Sequence, residues 1–198
     1  MPRRRGRYFG EWCDEVGATM TFATALTFAE RGFSVLPVGP DKRPWTEHGV
    51  HSASSDPSVF SRWDWKGAAC AIATREKVEV LDVDVRGAGG ALPLVGQGNA
   101  SLHREGDDVD GFSTLAALGL DWQRIEALTL CARTPSGGVH ALWKPISGKS
   151  KTLGPGVEWF STGKYVVVPP APGREWLNDL PIAEAPGRAE VDCVGPSE

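Results

Sequence analysis

The chain has 198 residues, 41% of them hydrophobic and 23% charged, with Gly 24 and Pro 15, which excludes bulk disorder and promises many loops. No run approaches the roughly 18 apolar residues of a membrane helix, and no apolar stretch follows the basic start Met1–Arg7, so neither a span nor a secretory leader is read. The net charge is -4; residues 175–198 carry six acids against Arg188, leaving 20 basic and 19 acidic groups in 1–174, so any nucleic-acid contact requires a local patch rather than a global field.

In chain order, residues 1–20 form an extension that mixes a basic arm with Tyr8, Phe9 and Trp12. From Thr21 the spacing of Phe22, Ala25, Leu26 and Ala29 predicts a helix, stopped by Gly32. Phe33–Val38 reads as a strand and Gly39–Pro44 as a loop. Asp56-Pro57 has the form of an N-cap with proline at N1, opening a short helix through Trp63. Ala69–Thr74 and Val78–Val85 are apolar strand-like runs, followed by a glycine-rich surface insertion over 86–110. A helical pair is predicted at Gly111–Leu118 and Trp122–Leu128, then strands at Leu128–Arg133, Val139–Lys144, Val157–Phe160 and Tyr165–Val168. From Pro169 the chain reads as linker, acidic and proline-rich over 175–198, and no repeat is found. Many strands with few helices predict an α+β fold around a central antiparallel or mixed sheet, its domain spanning 21–174.

Three local signals carry chemistry. In Val78-Glu-Val-Leu-Asp-Val-Asp-Val85, strand alternation puts Asp82 and Asp84 on one face, about 7 Å apart at Cα. Like charges at the end of an apolar strand destabilise it unless compensated, and a hard divalent cation compensates them; an exposed strand carrying Asp-x-Asp by chance is the plain alternative. In Arg133-Thr-Pro-Ser-Gly-Gly-Val-His140, the amides of Ser136, Gly137 and Gly138 suit an anion nest, with His140 on the following strand; a simple hairpin turn explains the same residues. Glu158 interrupts an apolar strand, where a third metal ligand or an exposed position would account for it.

Other patterns fail on spacing. Gly87-Ala-Gly89-Gly90 lacks the third glycine of a dinucleotide fingerprint, Leu92 standing there, and Gly148-Lys149-Ser150 has Trp143 where a P-loop needs glycine. His48 and His51 have no thiol or acid cluster beside them. Cys13, Cys70, Cys131 and Cys193 are scattered singly, without a zinc-type pair, and read as inert thiols of a reducing cytoplasm.

The ordered series Ala29–Val38, Lys42-Arg43-Pro44, His48-Gly49, Ser52–Asp56, Asp82-Val-Asp84, Thr134–His140 and Glu158…Tyr165–Pro170 resembles the N-terminal domain of bifunctional DNA primase/polymerases, a branch of the archaeo-eukaryotic primase superfamily of phage and plasmid replication. The resemblance covers about residues 22–172 and implies an RRM-like catalytic core. It also implies a two-metal nucleotidyl transferase using Mg²⁺ or Mn²⁺. Asp82, Asp84 and Glu158 match its catalytic carboxylates; Ser136 and His140 match its triphosphate contacts. Gly137, Gly138 and Lys164 are assigned beside them, with Lys42, Arg43, His51, Arg62 and Arg133 as weaker candidates for template or primer. Phe160 departs from the arginine that many members carry after the third acid. No cysteine/histidine cluster is present, so no zinc is expected.

The partners implied are a single-stranded DNA template with primer and dNTPs or NTPs. A helicase or other replication segment is expected beyond Glu198, in the cytoplasm of a bacterium or phage-infected host. Two other functions stay open: a glycosyltransferase, whose Asp-x-Asp would hold a metal on a nucleotide sugar, and a non-catalytic DNA-binding or recruitment module of the same fold.

Overall fold

The computed structural model describes residues 15–86, 109–146 and 148–185. In chain order its elements are α1 (Glu15–Glu30), β1 (Val35–Val38), α2 (Pro57–Phe60), β2 (Ala69–Thr74), β3 (Glu79–Val83), β4 (Val85–Arg86), β5 (Val109–Asp110), α3 (Gly111–Ala117), α4 (Trp122–Glu126), β6 (Cys131–Arg133), β7 (Val139–Lys144), β8 (Lys151–Gly154), β9 (Val157–Phe160), β10 (Lys164–Val167), β11 (Glu175–Trp176) and β12 (Ala183–Glu184). They fall into two compact units.

The first unit runs to Ala73 and takes in Gly163–Glu175. Its α1 buries Ala25, Phe28 and Ala29. Gly32 ends it at φ 84, with Gly32 N–H bonded to Ala29 O at 2.8 Å and Phe33 N–H to Phe28 O at 3.0 Å. That is the paired closure of a glycine-terminated helix. β1 pairs antiparallel with β2, in a sheet of order β1-β2-β10. Asp56 caps α2 by accepting from Ser58 N–H at 2.8 Å, but the helix ends at Phe60, three residues before the predicted Trp63. Phe22, Phe60, Trp63 and Trp65 form an aromatic cluster there.

Of the described residues, the second unit holds 74–86, 109–146, 148–162 and 176–185. Its sheet runs β11-β6-β7-β3-β9-β8, with β12 added parallel to β7. β3 lies at the centre, antiparallel to β7 on one side and β9 on the other. Alternation sorts its residues by face. Leu81 and Val83 join Val139, Ala141, Trp143, Val157 and Trp159 in a core covered by Leu115 of α3 and Ile125 of α4. Asp82 projects on the opposite face, which it shares with the buried Val80 and Leu142, and its own side chain stays partly exposed. Asp110 and Asp121 cap α3 and α4, accepting from Phe112 and Gln123 N–H.

The architecture is therefore α+β, with antiparallel sheets, one made mixed by β12, and few helices. Besides the early end of α2, α1 begins at Glu15 rather than Thr21 and β6 at Cys131 rather than Leu128, and further segments differ from expectation. The strand predicted through Val85 breaks after Val83, because the chain leaves the sheet there to pair β4 with β5. Of the insertion, 87–108 lies outside the described residues, and β4 and β5 join its two ends. The stretch from Pro169 is no plain linker up to Ala185: β11 and β12 join the sheet, and Leu177, Ala183 and Ala185 pack on the core. Its proline and acid content hid the apolar residues that bury. Residues 186–198 lie outside the described residues. Among the described residues no helix is long and apolar enough to cross a membrane.

Candidate active site

The centre of the site is a row across three strands. Asp82 on β3 stands opposite Glu158 on β9 and opposite His140 on β7, and directly opposed residues of antiparallel strands share a face. Glu158 therefore lies beside Asp82 although 76 residues separate them in the chain. His140 Nε2 is 3.2 Å from Asp82 Oδ1, a pairing that requires the proton on Nε2. The Asp82 side chain is 20% exposed and that of His140 only 9%, so the imidazole is spent on a carboxylate rather than offered to solvent.

Asp84 lies just past the strand, and backbone packing fixes it. Its N–H donates to Gly156 O at 2.7 Å, and its carbonyl accepts from Gly111 N–H at 2.9 Å. A Cβ on Gly138 would overlap the Val83 carbonyl and stand 3.2 Å from Asp84 Cα. One on Gly111 or Gly156 would come within 2.8 Å of the Asp84 carbonyl oxygen, and Gly156 is also at φ 70. Three glycines thus let three backbone segments close on one aspartate. Gly138→Ala is expected to cost about 1–3 kcal/mol by overpacking and to displace Asp84. Urea unfolding together with divalent-ion titration of the folded variant checks this; unchanged stability and unchanged ion affinity would contradict it.

Ser136 Oγ reaches Asp84 Oδ1 at 3.4 Å and Thr134 Oγ1 at 3.1 Å. Of the three amides expected to form a nest here, that of Gly137 is engaged within the turn. Gly137 N–H is spent on Thr134 O at 3.0 Å, and Thr134 N–H on Gly138 O at 2.8 Å. The turn closes on itself, so Gly137 supplies the left-handed conformation (φ 90) rather than a free amide.

Arg86, which no sequence pattern singles out, joins Asp84. Its Nε donates to Asp84 Oδ2 at 2.6 Å, with the side chain 66% exposed. Asp84 through hydrogen bond and charge, and Asp82 and Glu158 through charge, hold the guanidinium above its ordinary range. Of the three carboxylates only Asp84 touches this cation; Asp82 and Glu158 act on it by charge alone.

Glu79, also missed, locks the strands that carry these acids. It is 1% exposed and accepts from Trp159 Nε1 at 2.7 Å, Ser161 Oγ at 2.6 Å, Gly148 N–H at 2.9 Å and Ile146 N–H at 3.2 Å. Burial alone would push its carboxyl up; the bonds from Ser161, Gly148, Trp159 and Ile146 outweigh that and hold it below the ordinary value. Trp159 neighbours Glu158, so this clamp keeps β9 in register with β3.

The other assigned residues stand on other elements. Arg133 is exposed at the end of β6, in the second unit. Lys42, Arg43, His51, Arg62 and Lys164 are exposed in the first unit. Cys70 and Cys131 are buried, and burial raises both thiols, that of Cys131 to about 12. Both are poor nucleophiles.

The donor set suits a hard divalent ion: carboxylate oxygens, with no thiol beside them. Among the described residues no three His, Cys, Asp or Glu side chains form a ready-made ligand cluster; Asp82 and Asp84 are engaged by His140 and Arg86 instead. The carboxylate chemistry fits a divalent cation, and in this structure the cation that Asp84 holds is Arg86.

An antiparallel sheet bearing carboxylates on one face, flanked by few helices, marks the class: an α+β domain built around an acidic site. The family model for the N-terminal domain of bifunctional DNA primase/polymerases matches residues 25–188, and the chain belongs to that family. No curated protein matches the sequence. Membership gives the chain a primase/polymerase-family role, with DNA and nucleotides as the interacting molecules.

Proposed function

We propose that the chain is a metal-dependent, template-directed nucleotidyl transferase that adds nucleotides from dNTPs, and from NTPs as a second class, to a 3′-hydroxyl during phage or plasmid DNA replication. The Glu158–Asp82–His140 row, with Asp84 at its edge, carries this reading.

Asp82, Asp84 and Glu158 would hold two Mg²⁺ or Mn²⁺ ions. When bound, such ions lower the pKa of the attacking hydroxyl and neutralise the leaving oxygens. His140 fixes the rotamer of Asp82 through Nε2, and so acts as a positioning residue. Ser136, on the turn packed against Asp84, is the hydroxyl available on the phosphate side. Gly137 and Gly138 shape that turn so that the nucleotide approaches closely. Arg133, at the end of β6, and Lys42, Arg43, His51, Arg62 and Lys164 of the first unit are exposed groups suited to phosphates, those of nucleic acid above all.

Primer extension tests this, with dNTPs and NTPs compared in Mg²⁺, in Mn²⁺ and with chelator. Incorporation that follows the template and stops with chelator supports the proposal. DNA binding without incorporation in either metal would favour a recruitment module, and turnover of a nucleotide sugar would favour a glycosyltransferase.

A further inference from the structure

Asp82 and Glu158 on one sheet face, with Asp84 just beyond the end of the strand, repel one another unless something positive stands among them. The chain supplies that charge itself. Arg86 closes on Asp84 at 2.6 Å, while its side chain stays 66% exposed. Its backbone is fixed, since Arg86 pairs with Val109 in the β4–β5 ribbon. The main chain therefore cannot carry the residue away, but the side chain is free to swing. A guanidinium on Asp84 and a divalent ion on the same oxygens exclude one another, by space and by charge.

We propose that Arg86 is the resident counter-cation of the carboxylate site, which a divalent ion displaces from Asp84 and which then turns to the phosphates of the incoming nucleotide. The displaced guanidinium stays tethered two residues from Asp84. A planar guanidinium is suited to phosphate oxygens, which it grips in pairs. The residue thus sets the ion affinity of the empty site and the nucleotide affinity of the loaded one, in opposite directions. This rests on the polymerase reading above.

The test is Mn²⁺ titration of the whole chain by calorimetry, without nucleotide, on wild type, Arg86→Gln and Arg86→Lys. Because Arg86 is exposed, the variants are expected to fold, and a melting curve verifies that. Arg86→Gln is expected to bind Mn²⁺ about three- to fivefold more tightly at low salt, the scale of an exposed ion pair. The gain should shrink as KCl is raised, and Arg86→Lys should stay near wild type. With Mn²⁺ saturating, Arg86→Gln should bind dATP more weakly than wild type. Unchanged or weaker Mn²⁺ binding by Arg86→Gln overturns the proposal, as does dATP binding that is unaffected. If wild type itself binds no Mn²⁺ even with dATP present, the polymerase reading fails instead, so the two failures are told apart.

Discussion

Exchanging Asp82 and Asp84 together for asparagine should reduce template-directed incorporation on the order of 10³-fold or more, the scale of several kcal/mol of lost transition-state stabilisation. Asparagine keeps the shape of both side chains, so β3 and its neighbours retain their packing. What disappears is negative charge on oxygens that Mg²⁺ or Mn²⁺ would take, at the centre of the row and at its edge. Removing the two charges relieves repulsion with Glu158 but also gives up the Asp82–His140 and Asp84–Arg86 pairs. The two effects oppose one another, so the inactive variant should stay within about 1 kcal/mol of wild type in stability. Primer extension and urea unfolding on the same preparation check both halves. Extension at the wild-type rate would remove the foundation of the proposed mechanism.

Glu79→Ala should cost about 3–5 kcal/mol, the scale of breaking a buried charged network, although Glu79 contacts no substrate. Four donors, from Trp159, Ser161, Gly148 and Ile146, would be left facing a void. Glu79→Gln keeps the volume but turns an amide N–H₂ toward those donors, so it should lose less, about 2 kcal/mol. The pH dependence has a definite sign. The folded carboxyl is held below its ordinary value of 4.5. Its contribution is therefore complete above that value and is lost as pH falls through the lowered folded pKa. The stability gap between wild type and Glu79→Gln should be widest near neutrality and narrow in acid below pH 4.5. A gap that stays constant across that range would show that the carboxylate's charge plays no part.

Much of this architecture is legible in the residues themselves. The alternation in Val78–Val85 locates β3 and puts Asp82 on the face away from Leu81 and Val83, and Val157 and Trp159 around Glu158 locate β9. Neither tells that the two strands are neighbours; that pairing came from order along the chain, matched to a family. Asp84 was placed on the strand because its local pattern is that of a strand. The break after Val83 arises from β5 and from the Gly111 and Gly156 contacts, which lie far away in sequence and leave no periodic trace. Glu79 reads as one acid in an apolar run, and only folding shows which donors converge on it. Arg86 opened a segment that looked like plain insertion, so its charge was not connected with the acids. The strands β11 and β12 escaped notice because two residues are too few to show a period of 2.

The β4–β5 ribbon has a consequence for how the family's site tolerates change. Val85 pairs with Asp110 and Arg86 with Val109, so the chain departs and re-enters through a single doorway one residue beyond Asp84. Whatever length of polypeptide is spliced in between, the threshold itself remains the same. Changes of length between Arg86 and Val109 are then expected to leave in place the acid that the doorway holds.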